Sequence, residues 1–228
     1  EQTDIDFRGS KIRNYRWGPK TDKTILLVHG WEGQSGNFGA LVDVLLSKGY
    51  HVIAFDAPSH GKNVRKSTSM FEYGDMITKV LNQYRPTSII SHSFGTVATI
   101  WGLNHEPDVH IHQWFIVTTP ANFKDRIHAF KDILGVTERT VSRLIDLVEK
   151  STGYSVDVLN MDDFGRNLNN VDEVTLVHSR SDKVVPIDDA RVTHEAIKGS
   201  RLIELEGLGH YRILWSKELK DIIKSELA

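Results

Sequence analysis

At 228 residues the chain has room for one sizeable domain, and its composition, 39% apolar and 25% charged, is that of a folded globular protein rather than a disordered one. A formal charge of −2, from 28 Lys and Arg against 30 Asp and Glu, offers no basic face for nucleic acid or an acidic membrane surface. The absence of cysteine excludes disulfides, thiolate metal sites and a thiol nucleophile, and no apolar run approaches the ~18 residues of a membrane span, so a cytoplasmic location is expected. The first residue is Glu1 rather than Met, which implies a boundary or a processing event upstream.

Taken in order, Ile5–Phe7 and Lys11–Trp17 read as an opening hairpin about Gly9-Ser10. Thr24–His29 is a continuous apolar run that stops at Gly30, and Asn37–Ser47 carries Phe38, Leu41, Val42, Leu45 and Leu46 at helical spacing before Gly49. Strand His51–Phe55 and helix Met70–Tyr84 follow, and Pro86 separates that helix from strand Ser88–Ser91. Helix Phe94–Leu103 is entered with no loop, and His112–Val117 is the next strand. Strands Val174–His178 and Arg201–Leu205, helix Asp188–Ile197 between them, and a closing helix Ile213–Leu227 complete the alternation. Six core strands plus the hairpin predict an α/β architecture, a mostly parallel central sheet with helices on both faces.

Between Phe123 and Asn170 the alternation breaks into two helical patterns, one on Ile127, Phe130, Ile133 and Leu134, the other on Val141, Leu144, Ile145 and Val148. This is far longer than an ordinary connection of ~2–6 residues and predicts a small helical cap over residues 123–170, inserted into a core made of residues 1–122 and 171–228. The plainer alternative is that these helices simply cover one face of the sheet.

The chemistry centres on Ser91-His92-Ser93-Phe94-Gly95, a serine pentapeptide at a step from strand directly to helix. So tight a turn needs small residues two positions either side of the serine; Gly95 meets this, while Ser91 stands where glycine is usual. Capping of the following helix is the plainer role for Ser93. It loses force because partners follow in the order Ser, Asp, His. Asp182 lies just past strand Val174–His178, at the rim where parallel strands end, and Asp188 and Asp189 fit the role of helix N-terminal acids better than Asp182 does. His210 follows the last strand in Gly207-Leu208-Gly209-His210 and is set apart by that position from the other histidines, of which the chain has eleven in all. His210 would take the Ser93 proton while Asp182 fixes the imidazole. The backbone N–H groups of Trp31 and Phe94 are expected to form the oxyanion hole. His29 is expected to shape its loop, and Trp31, Phe123 and Phe130 to line a substrate pocket.

These segments, LLVHGW at Leu26–Trp31, DAPSHG at Asp56–Gly61, SHSFG at Ser91–Gly95, HSRSDKVVP at His178–Pro186 and GLGH at Gly207–His210, resemble the α/β-hydrolase family over nearly the whole chain. The Asp56–Gly61 loop departs from the usual pattern, with Ser59 in a glycine position. The resemblance implies the α/β-hydrolase fold, the Ser93, Asp182, His210 set, and a helical cap after the strand that follows the nucleophile helix.

The scaffold leaves the substrate open. The expectation is hydrolysis of a small or short-acyl carboxylic ester without cofactor or metal, with a thioesterase, a carbon–carbon bond hydrolase and a non-catalytic ligand receptor as alternatives. No pair of histidines has the helical H-x-x-x-H spacing with an acidic ligand nearby that a metal hydrolase would need. The small-molecule ester is the expected partner, and oligomeric state is not readable.

Overall fold

The computed structural model describes residues 1–63, 67–158 and 160–228, with the side chains of all of these but 123, 129, 130 and 132–134. Eight strands form one sheet: β1 (Gln2–Phe7), β2 (Ser10–Trp17), β3 (Thr24–Val28), β4 (His51–Phe55), β5 (Ser88–His92), β6 (Ile111–Val117), β7 (Val171–Ser179) and β8 (Arg201–Leu205), in the order β1-β2-β4-β3-β5-β6-β7-β8. Only the two pairings of β2, with β1 and with β4, are antiparallel; β4, β3, β5, β6, β7 and β8 run parallel. The six core strands and the opening hairpin match the apolar runs to within a few residues. The hairpin turn is Arg8-Gly9, one residue earlier than expected, because Phe7 pairs with Ser10. Both turn residues have positive φ, 47° and 72°, the backbone that a two-residue turn requires.

The helices are α1 (Gly39–Ser47), α2 (Met70–Tyr84), α3 (Phe94–His105), α4 (Phe123–Leu134), α5 (Glu138–Thr152), α6 (Met161–Arg166), α7 (Ile187–Ala196) and α8 (Lys217–Glu226). Side chains alternate across a strand, and here the alternation sorts the core into two layers. Leu26, Ile53, Ile89, Trp114 and Leu176 face one side with α2 and α3; Ile25, Leu27, Val52, Ile90, Phe115 and Val177 face the other with α1 and α8. The sheet is therefore covered on both faces, as parallel sheets are. The closing helix is not continuous: a 3-10 turn at Arg212–Trp215 ends at Ser216, whose hydroxyl accepts from Leu219 N–H and starts α8 afresh.

Among the described residues, three α-helices and a 3-10 turn at Val156–Val158 lie between β6 and β7. Helices α4 and α5 share a small apolar cluster of Ile127, Val141 and Val156, packed by Ile145 and Val148. The third, α6, has only two apolar side chains in six residues and leaves no periodic signal; its Met161 joins the main core, and Gly165 is so close to Ala196 and Ile197 that a methyl group there would collide. Both ends of the segment are tied down. Ala121 N–H donates to Asp189 (3.2 Å) and Met161 N–H to the Ala121 carbonyl (2.8 Å), while the Asn170 amide donates to the carbonyls of Leu103, Glu106 and Val109.

Candidate active site

Strand β5 ends at His92, and α3 begins at Phe94, so Ser93 alone makes the turn. Its backbone lies at φ 53°, ψ −126°, a conformation costly for any residue with a Cβ, by roughly 1–3 kcal/mol. It is held there by its own N–H, which donates to the carbonyls of Thr118 (2.8 Å) and Val117 (3.1 Å) at the end of β6. The neighbours at −2 and +2 meet different demands. A Cβ on Gly95 would stand 2.4 Å from the His29 carbonyl oxygen and 2.6 Å from that of Val28, so only glycine fits. Ser91 is fully buried, and its hydroxyl accepts from Trp114 Nε1 (2.8 Å) and pairs with Thr96 (2.9 Å); the hydroxyl that glycine would lack has two partners.

The three residues picked out in the sequence come together at the carboxyl end of the sheet. The Ser93 hydroxyl lies 3.0 Å from His210 Nε2, and His210 Nδ1 lies 2.8 Å from Asp182 Oδ2; all three residues are buried. The second carboxylate oxygen of Asp182 accepts from Val184 N–H (2.8 Å) and Val185 N–H (3.0 Å), so the carboxylate is fixed from both sides. Burial opposes its ionisation, but the hydrogen bonds from His210, Val185 and Val184 outweigh it and hold the carboxyl below its ordinary value. A neutral imidazole with its proton on Nδ1 can therefore accept the Ser93 proton on Nε2.

A second histidine fixes the first. His92 is buried under His210, ring centroids 4.9 Å apart, and its Nε2–H donates to the His210 backbone carbonyl at 2.9 Å. Burial, with the nearby His210 imidazole adding to it, lowers the His92 pKa to about 3, so it stays a neutral donor across the working range of most enzymes. His92 stands beside Ser93 in the serine pentapeptide, but its contact with a loop 118 residues on leaves no local sequence signal.

The oxyanion-hole candidates also flank the serine. Phe94 opens α3, and the loop before Trp31 runs so close that a Cβ on Gly30 would stand 3.0 Å from Ser93 Cβ. His29 shapes this loop as expected: Ala57 N–H donates to its Nε2 (2.9 Å), its Nδ1–H donates to the Gly30 carbonyl (2.7 Å), and its own carbonyl accepts from Tyr73 (2.7 Å). Burial lowers the His29 pKa to about 4. Asp56 braces the same region, with Oδ1 accepting from Ser35 N–H and hydroxyl and Oδ2 from Lys62 N–H. Ser59, in the family's glycine position, has φ 64°, which explains the usual preference there.

Beside Trp31 and Phe94 is an apolar cavity of about 310 Å³, walled by Met70 and Phe71 on one side and by Ile127 of α4 and Leu144 and Val148 of α5 on the other. Of the pocket residues named from sequence, Trp31 lines it; the side chains of Phe123 and Phe130 lie outside the described residues. That Ile127, Leu144 and Val148 face a cavity is not legible in the sequence, because an apolar side chain at helical spacing looks the same whether it faces a core or a cavity.

A family model for the alpha/beta hydrolase family matches residues 25–218, most of the chain. The chain belongs to the alpha/beta hydrolase family. Within it, the chain is 35% identical over 94 residues, 38% of its length, to a serine hydrolase-like protein of Dictyostelium discoideum, covering 26% of that protein. It is 30% identical over 148 residues, 62% of its length, to a probable serine hydrolase of Drosophila melanogaster, covering 39% of that one. The matched part thus spans between a quarter and two fifths of these relatives. Among solved structures, a predicted CIB-like hydrolase from Thermoplasma acidophilum superimposes with a TM-score of 0.72 over 100% of this chain and 97% of that one, at 19% identity, a likeness of fold. Among the described residues no helix of this hydrolase-family chain is long and apolar enough to cross a membrane.

Proposed function

We propose that this chain is a serine carboxylesterase that cleaves a small or short-acyl ester through an acyl-serine intermediate. The observation that carries the reading is the continuous relay from Ser93 Oγ through His210 to Asp182, at 3.0 and 2.8 Å. In this reading Ser93 Oγ attacks the ester carbonyl carbon as His210 Nε2 takes its proton. The tetrahedral oxyanion is met by the N–H groups of Trp31 and Phe94, the latter at a helix N-terminus. The carbon–oxygen bond to the leaving group then breaks, and His210 returns the proton to the departing alkoxide. Water, activated by the same imidazole, hydrolyses the acyl-serine and regenerates the enzyme. Asp182 keeps Nδ1 protonated throughout and stabilises the imidazolium.

The apolar cavity supports a hydrocarbon acyl group of modest size, and the helices of residues 123–170, which supply one wall of it, act as a cap. Short-chain p-nitrophenyl esters should be hydrolysed by the wild type and not measurably by Ser93→Ala, a loss of about 10⁴-fold or more. A fluorophosphonate probe should label Ser93, as mapped by mass spectrometry. Equal, slow hydrolysis by both proteins, or labelling elsewhere, overturns the assignment.

A further inference from the structure

The opposite end of the sheet carries a different grouping. His110 precedes β6 and His112 lies on it, two residues apart and so on one side of the strand. The register sets Ile111 against Val171 and Gln113 against Glu173, which brings Asp172 of β7 abreast of His112. The three side chains converge on one point: His110 Nε2 lies 2.9 Å and His112 Nδ1 3.0 Å from the same oxygen of Asp172. One ligand atom from each residue lies within 4.8 Å of the others, and the imidazole planes stand 75° apart with centroids at 5.4 Å. All three side chains are open to solvent by half or more.

Two imidazole nitrogens and a carboxylate oxygen are the donors of a borderline divalent transition metal; calcium and magnesium take oxygen alone. Around tetrahedral zinc with bonds of about 2.1 Å, donors stand about 3.4 Å apart. Two of the three separations here are within about half an ångström of that, and both strands are held by their sheet partners, so little reorganisation is required. We propose that His110, His112 and Asp172 form a surface site for a zinc-like divalent cation, completed by water, which clips the start of β6 to β7. The usual metal motif, two histidines four apart on a helix, misses it because on a strand the matching spacing is two.

The site takes no part in the Ser93 chemistry. His110 and His112 lie five to seven residues before Val117, whose carbonyl holds Ser93, a distance of roughly 17–23 Å along the strand. The metal site and the esterase reading therefore stand or fall separately.

Zinc chloride titrated into the untagged chain by calorimetry tests the proposal. One ion per chain should bind, the melting temperature should rise with zinc, and magnesium at equal concentration should do neither. His112→Ala and Asp172→Asn should each weaken zinc binding by about tenfold or more, while their metal-free melting temperatures stay close to wild type because the side chains are exposed. Hydrolysis of p-nitrophenyl esters should be unchanged by zinc or chelator. If the double variant His110→Ala/His112→Ala binds zinc as tightly as wild type, or wild type binds none, the proposal is wrong.

Discussion

The rim around Ser93 and the paired helices α4 and α5 are built by different rules. At the rim, each turn is held by a specific contact: Gly95 under the His29 carbonyl, Asp56 between two loops, Asp182 with both oxygens engaged. Helices α4 and α5 rest on general devices. Asn122 and Thr137 cap their first turns, Gly135 and Gly153 end them in left-handed conformation, and a few aliphatic side chains make their shared core. The proposed chemistry is thus housed where substitution is least tolerated, and one wall of the apolar cavity where it is tolerated most. Divergence among relatives should alter what is bound well before it alters what is done to it.

The largest contrast should come from alanine at two glycines. Gly95→Ala forces a methyl group onto a backbone oxygen, and we expect a loss of roughly 3 kcal/mol in urea unfolding together with at least about 100-fold in kcat/KM, as Ser93, the proposed nucleophile, is displaced. Gly135→Ala meets no atom within 4 Å and bears only the cost of φ 64°, so about 1 kcal/mol should be lost with activity kept. Equal effects at the two sites would break the comparison.

A smaller effect should follow from His92→Ala. Without its hydrogen bond to the His210 carbonyl, the loop that carries the imidazole loosens, and kcat should fall about tenfold with KM little changed, since His92 does not line the apolar cavity. An increase in KM at constant kcat would place His92 in substrate binding instead. The smallest effect is expected at the cavity wall: Leu144→Trp should narrow it and reduce kcat/KM for octanoate esters several-fold relative to acetate. Uniform loss across chain lengths would show that the acyl group lies elsewhere.

This division also explains what the sequence disclosed. Strand limits were legible because β3 to β6 are short runs rich in apolar residues and bounded by turns, and Ser93, Asp182 and His210 because each sits at or just past a strand's carboxyl end in a compact motif. Strand β1 begins three residues before its first apolar side chain, since Gln2, Thr3 and Asp4 pair with β2 through backbone and through polar side chains that accept from Arg13 and Asn14. Helix α6 was missed for want of a pattern, and the support given by His92 because it acts across 118 residues. The substitution at Ser91 looked like a defect in the motif until Trp114 and Thr96 were found as its partners.

The constrained backbone at Ser93 has a further consequence for how the molecule ages under stress. Its unfavourable torsion angles are sustained by two carbonyls at the tip of β6, so any fluctuation that parts β5 from β6 there lets the residue relax into an ordinary conformation. The Ser93 hydroxyl would then lose its alignment with His210 while most of the sheet stayed intact. Gentle heating should silence turnover several degrees before far-ultraviolet dichroism reports any melting, making the activity itself the most sensitive gauge of the seam between these two strands.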